Sequence, residues 1–278
     1  MNKTTCRIRL MLIITAAITV ALGIFSAVAH LRFFEADIFM FATEGQAVMR
    51  IYYVLCALCV LLTVSYCYAE KKNSSDDPLP KPETEKENVA ACALRICGGS
   101  IFLIGAALRI SALSTNKVTY ALPREIIAPM LLMLLASSFY FFPELSKKLG
   151  RPNLSSICGI LGSIAFIIDI LAIYADMTQP IASEYKLMTA VYTIIFLLFW
   201  VTELRLTLSE PRPYAYIALL VIGCAVGGSI CIGRAALLLT GGLPIGNELA
   251  RAFCGFGFTV YLFSRLISMI TNSTERTI

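Results

Sequence analysis

The sequence predicts an all-α, polytopic integral membrane protein: a bundle of about eight transmembrane helices that forms a single membrane domain over residues 1–278. Three observations carry this. Hydrophobic residues make up 58% of the chain and charged residues 15%, with a mean hydropathy of +0.78. Soluble proteins average about 45–50% apolar and about 25% charged, so these side chains cannot be divided between one core and one wetted surface. The apolar residues fall into separate runs, each close to the ~20 residues that cross ~30 Å of hydrocarbon. Lysine and arginine gather at alternate ends of those runs, as membrane topology requires.

The runs are residues 8–29, 47–68, 90–113, 126–142, 154–175, 187–202, 214–240 and 249–271, here segments one to eight. Each must be helical, because lipid offers no partner for backbone N–H and C=O groups. Segment one follows Lys3, Arg7 and Arg9 and ends near Ala27-Val28-Ala29, a pattern shared with cleaved signal peptides. Its apolar run from Leu10 exceeds the 7–15 residues of a typical signal core, so it is read as a retained helix. Segment two places Tyr52 at one end and Tyr66 and Tyr68 at the other. Residues 70–88 then form the one soluble-looking stretch. It is charged, contains proline and lacks apolar periodicity, so a disordered cytoplasmic loop is expected.

Segment three carries Arg95, Gly98, Gly99, Gly105 and Arg109, and segment four ends at Tyr140 and Phe142. Segment five holds Gly159, Gly162 and Asp169. Segment six runs between Tyr185 and Trp200, aromatic residues of the kind that mark membrane interfaces. Segment seven contains Gly223 and Gly227 in a GxxxG spacing, then Gly228, Gly233 and Arg234. Segment eight carries Gly255, Gly257 and Arg265.

Orientation follows from the 23 lysines and arginines. With the amino terminus inside, thirteen fall on inner stretches, six on outer stretches and four within segments. This asymmetry predicts a cell-membrane protein with both termini in the cytoplasm. The sequons at Asn2, Asn73, Asn153 and Asn272 then all lie inside, where no glycan is expected. The net charge of +5 is accounted for by the same topology, and nucleic acid is not an expected partner.

The halves 1–150 and 151–278 can be laid over one another. Leu22-Gly23 meets Leu161-Gly162, Ala36-Asp37 meets Ala175-Asp176, Gly98-Gly99-Ser100-Ile101 meets Gly227-Gly228-Ser229-Ile230, and Glu125 meets Glu248. Four helices per half would make this a parallel repeat.

The ten cysteines lie in or against apolar segments, apart from Cys6, and read as small hydrophobes. Gly98, Gly99, Gly223, Gly227 and Gly228 are expected to let helix backbones approach closely. Arg95, Arg109 and Arg265 lie within one or two turns of a helix end, so snorkelling would account for them. Asp169 and Arg234 lie deeper, about 10 Å from a helix end, in the outer leaflet half and with opposite signs. They are expected to form a buried ion pair or a ligand site, with His30 and Arg109 as further candidates. Segments five and seven would then be neighbours, or be joined through a shared aqueous pocket.

No hydrolase elbow, zinc-protease motif or cluster of histidines and carboxylates is present. The reading is therefore against an enzyme, a metal centre or a cofactor. It favours a transporter or permease-like protein with a charged site in the outer leaflet half, binding a small-molecule ligand. The competing reading is a non-transporting subunit, sensor or scaffold that partners another membrane protein or a second copy of itself.

Overall fold

The computed structural model describes residues 3–35, 40–73, 88–114, 122–151, 153–176, 183–208, 213–240 and 247–275. Eight helical spans within them are long and apolar enough to cross a membrane. Segment one is α1 (Lys3–Phe33), segment two α2 (Thr43–Asn73), segment three α3 (Val89–Ser114) and segment four α4 (Arg124–Ser137). A 3-10 turn (Ser138–Phe141) and the short α5 (Pro143–Lys148) follow. Segments five and six are α6 (Leu154–Ala175) and α7 (Glu184–Leu208). Segment seven divides into α8 (Pro213–Ile222), a π-helical turn (Gly223–Gly228) and α9 (Ser229–Leu239), and segment eight is α10 (Asn247–Glu275).

Two departures from the sequence reading concern connections. Strands β1 (Phe34–Glu35) and β2 (Met40–Phe41) pair antiparallel between α1 and α2, with Phe34 opposite Phe41. The stretch read as a loop from residue 70 begins as helix, because α2 continues to Asn73. Glu70 is buried there and accepts a 3.4 Å hydrogen bond from Arg7, a tertiary contact that holds the polar last turn in helix. Residues 74–87 of that predicted loop lie outside the described residues.

The end of α4 follows from local chemistry. Pro143 disfavours helical backbone at the residue before it, and Phe142 accordingly sits at φ −123° and ψ 61°. The helix tightens into a 3-10 turn just before that point, while Ser137 and Ser138 hydroxyls donate to the Leu134 and Leu135 carbonyls, each at 2.6 Å.

Six spans close a ring: α3 packs on α4, α4 on α6, α6 on α7, α7 on α8 and the π turn, α9 on α10, and α10 back on α3. Aromatic side chains fill its interior, among them Phe102, Phe141, Phe166, Phe196, Trp200 and Phe258. The rings meet edge to face or tilted, with Phe196 and Phe258 stacked at 4.5 Å between centroids. α1 and α2 lie outside this ring against segment seven. The span in segment seven is 78% buried, whereas that in α2 is 22% buried, which makes segment seven central and α2 peripheral. Apolar residues such as Leu58, Leu61 and Leu62 face outward from α2, as a lipid-facing surface would.

The tightest seam joins α3 to α10. A Cβ added at Gly98 would stand 2.7 Å from the Gly257 carbonyl oxygen, and one at Gly257 would stand 2.6 Å from that of Gly98. Backbone meets backbone there, so no side-chain rotation could relieve the clash. The other glycines singled out face side chains: Gly99 faces Phe141, Gly223 faces Leu262, Gly227 faces Phe196 and Gly228 faces Thr259.

Helix packing follows the exchange of halves in part: α4 on α6 has its counterpart in α10 on α1, and α1 on α2 in α6 on α7. Exchange would carry the α3–α10 seam onto segment seven against α4, and those two are not among the closely packed pairs. Gly98-Gly99 and Gly227-Gly228 sit in different surroundings: a backbone seam in α3, and a π turn against Phe196 and Thr259 in segment seven.

Candidate functional site

The charged residues assemble at the end of the ring away from the chain termini. Arg109 stands five residues before the end of α3, Asp169 six before the end of α6, and Arg234 five before the end of α9. Each is therefore roughly 8–9 Å inside its helix end. Arg109 grips Asp169 in a bidentate fork, Nη1 to Oδ2 at 3.1 Å and Nη2 to Oδ1 at 2.6 Å. Arg251 on α10 donates to the same Oδ1 at 3.4 Å and to Glu248 Oε1 at 3.0 Å. Glu248 Oε2 accepts from Arg234 Nη2 and from the Tyr185 hydroxyl, both at 2.6 Å. Arg234 Nη2 also bonds the Tyr185 oxygen, its Nη1 donates to Thr189 Oγ1 at 2.7 Å, and its guanidinium lies 4.2 Å above the Tyr185 ring.

Helical periodicity builds this arrangement. Glu248 and Arg251 are three apart on α10, and Tyr185 and Thr189 are four apart on α7, so each pair shares one face. All three arginines and Asp169 are buried, and Glu248 keeps 13% of its side chain exposed. Five charges largely withdrawn from water are thus held by bidentate and shared hydrogen bonds, the geometry that offsets their loss of hydration.

A small cavity adjoins the cluster, lined by Arg109, Asp169, Tyr192, Phe196, Arg251 and Cys254 among others. It has room for about one water molecule. The aromatic ring interior begins at its floor, since Phe166 and Phe196 belong to both.

A second buried group lies beyond the aromatic layer, near the end that carries the termini. Arg265 on α10 forms an ion pair with Glu203 on α7. The Tyr261 hydroxyl donates to Glu203 Oε1 at 2.9 Å and accepts from Arg265 Nε at 3.0 Å. Tyr140 and Tyr216 stand beside this pair. At the same end, Arg95 donates to the Phe141 carbonyl at 2.6 Å and meets Glu144 at 2.5 Å. Burial pushes the Glu144 carboxyl up, but the Arg95 hydrogen bond outweighs it, and the group is held below the ordinary glutamate value.

Several expectations are corrected by this geometry. Asp169 and Arg234 do not pair directly; Arg251 and Glu248 connect them, and α6 and α9 are not close neighbours because α7 and α10 stand between them. Arg109, Arg95 and Arg265 do not snorkel: each is buried and bonded to a carboxylate. Position along a helix reveals depth but not rotation, and all three point inward. Glu203, Glu248 and Arg251 escaped the sequence reading because they lie close to segment ends. A signal was present on α10, where Glu248, Arg251, Phe258, Tyr261 and Arg265 recur at helical spacing and define one polar and aromatic face.

His30 is buried but stands apart from the ion network. Its Nδ1 lies 2.7 Å from the Ser26 carbonyl, so Nδ1 must carry a proton. Phe41 packs across the ring at 5.1 Å, and Gly233 leaves the space the imidazole occupies. Among the described residues no group of three or more histidines, cysteines or carboxylates is placed to hold a metal ion.

Fold and site together define a multi-pass membrane protein with two buried ion clusters separated by an aromatic layer. The chain matches no family model, no curated protein and no solved structure.

Proposed function

We propose that the chain is a small-molecule transporter or permease-like protein of the cell membrane, with both termini cytoplasmic and its charged site in the outer leaflet half. The observation that carries this reading is the small cavity shared by Arg109, Asp169 and Arg251. Ionisable groups are costly within a membrane, and three elements, α3, α6 and α10, supply them to one wall. Two further features support it. A second ion cluster, on α7 and α10, lies across the aromatic layer. The π turn at Gly223–Gly228 interrupts the most buried span beside Phe196, and π turns recur at functional sites.

A second reading, a non-transporting membrane subunit, is favoured by the direct ion pairing within the cluster: Arg234, Glu248 and Arg251 already bond one another or their neighbours. The two readings separate in proteoliposomes on a solid-supported membrane. A panel of amino acids, carboxylates, sugars and halides should give a transient current or uptake with at least one class, abolished in Asp169→Asn. No response to any class, together with a membrane protein that co-purifies stoichiometrically, would favour the subunit.

A further inference from the structure

We propose that the outer charge cluster binds a small monatomic monovalent anion, of chloride size, in the cavity between Arg109 and Arg251. This rests on the site proposed above and names its ligand class. The network joined by direct ion pairs holds three guanidiniums, Arg109, Arg234 and Arg251, against two carboxylates, Asp169 and Glu248. One positive charge is left over.

Among the described residues, the surrounding groups do not remove it. Lys186 and Asp176 lie together nearer the helix ends, where Lys186 Nζ donates to the Asp176 carbonyl at 2.6 Å, and their charges cancel. Glu184 turns to the Phe41 backbone N–H. Arg124 and Glu125 on α4 are both exposed and of opposite sign. His30 adds no negative charge. An uncompensated guanidinium away from water is costly, and one anion would balance it.

The cavity has the corresponding chemistry. Arg251 lines it, is 7% exposed, and has an Nε–H with no acceptor among the described residues. Phe166, Tyr192 and Phe196 also line it, and aromatic ring edges carry partial positive charge. Its volume excludes a sugar acid or an organic phosphate.

The test is a melting series on purified protein at fixed sodium concentration and ionic strength, with gluconate replaced by chloride, bromide, formate, acetate or sulfate. Chloride should raise the melting temperature saturably, bromide less, and formate, acetate and sulfate not beyond gluconate. Arg251→Gln should weaken the half-saturating chloride concentration about tenfold or more, the loss expected for one charge-assisted hydrogen bond. Arg124→Gln should leave it unchanged. An equal rise with every anion would reveal a general salt effect and overturn the proposal, as would an unaltered chloride response in Arg251→Gln. If that variant does not fold, the size series on the wild-type protein decides alone. Saturable binding without flux would sink the transport reading and keep the anion site. Flux of a cation or neutral solute without any anion response would do the reverse.

Discussion

Arg251 bridges Asp169 and Glu248, donating at 3.4 Å to one carboxylate and at 3.0 Å to the other. Through it the α3–α6 ion pair and the α9–α10 ion pair become one network. Asp169, like Glu248, is shared by two guanidiniums, and its fork with Arg109 is bidentate.

Asp169→Asn should therefore destabilise the protein more than Arg109→Gln, because it leaves both Arg109 and Arg251 without their common partner. A buried pair broken on one side costs roughly 3–5 kcal/mol. The double variant Arg109→Met with Asp169→Leu should recover part of the loss. Thermal unfolding of the four proteins gives the coupling energy. The cycle between Asp169 and Arg234 should show a much smaller coupling, since no bond joins them. Equal couplings would contradict the geometry.

Tyr185→Phe removes one hydroxyl that serves both Glu248 and Arg234. The loss should cost about 1–3 kcal/mol, since a buried carboxylate loses a donor. Thr189→Val, which deprives Arg234 of a neutral acceptor only, should cost less. Chemical or thermal denaturation of the two variants side by side gives the order.

Gly98→Val and Gly257→Leu should each prevent α3 and α10 from closing, at more than the 1–3 kcal/mol usual for overpacking, because the atoms in the way are backbone. Gly223→Ala should be mild by comparison, since the nearest atom is the flexible end of Leu262 at 3.1 Å. Folded yield after purification and melting temperature should rank the three in that order.

Glu144 sits outside the spans and is held below the ordinary glutamate value by Arg95. A carboxyl depressed in the folded state contributes stability that is present at neutral pH and lost as pH falls through the folded-state value. Lowering the pH below about 4.5, the ordinary glutamate value, should destabilise the wild-type protein slightly more than Glu144→Gln. The effect is small because Glu144 is 58% exposed and water screens the pair. Melting temperatures against pH for both proteins give the sign.

Reporters inserted at residues 74–87 and after Thr271 should read cytoplasmic, and one inserted between Leu31 and Gln46 should read external. Ends on opposite sides would remove the topological basis for placing the charge cluster in the outer leaflet half.

The spans were legible in the sequence because lipid imposes length and apolarity on each helix separately. Rotation about the helix axis was not, because it is set by neighbours. Arg109 and Arg265 illustrate this: their distance from a helix end allows an escape to water, yet their rotation aims them at Asp169 and Glu203. Asp169 was found because no escape is open at its depth. Its partner was misassigned because choosing among Arg109, Arg234 and Arg251 requires knowing that α10 packs on α3 rather than beside α4.

One face of α10 completes both charged layers: Glu248 and Arg251 at one end, Tyr261 and Arg265 at the other. α10 also follows every other helix in chain order. While the polypeptide is being made, Arg234 precedes Glu248, and Glu203 precedes Arg265, so each waits in the bilayer for a partner not yet synthesised. Docking of α10 settles both ends in one event and seats Gly257 against Gly98 at the same moment. A nascent bundle halted before residue 247 would therefore carry unmatched charge at two depths, so the docking of this one helix sets the cooperativity of assembly.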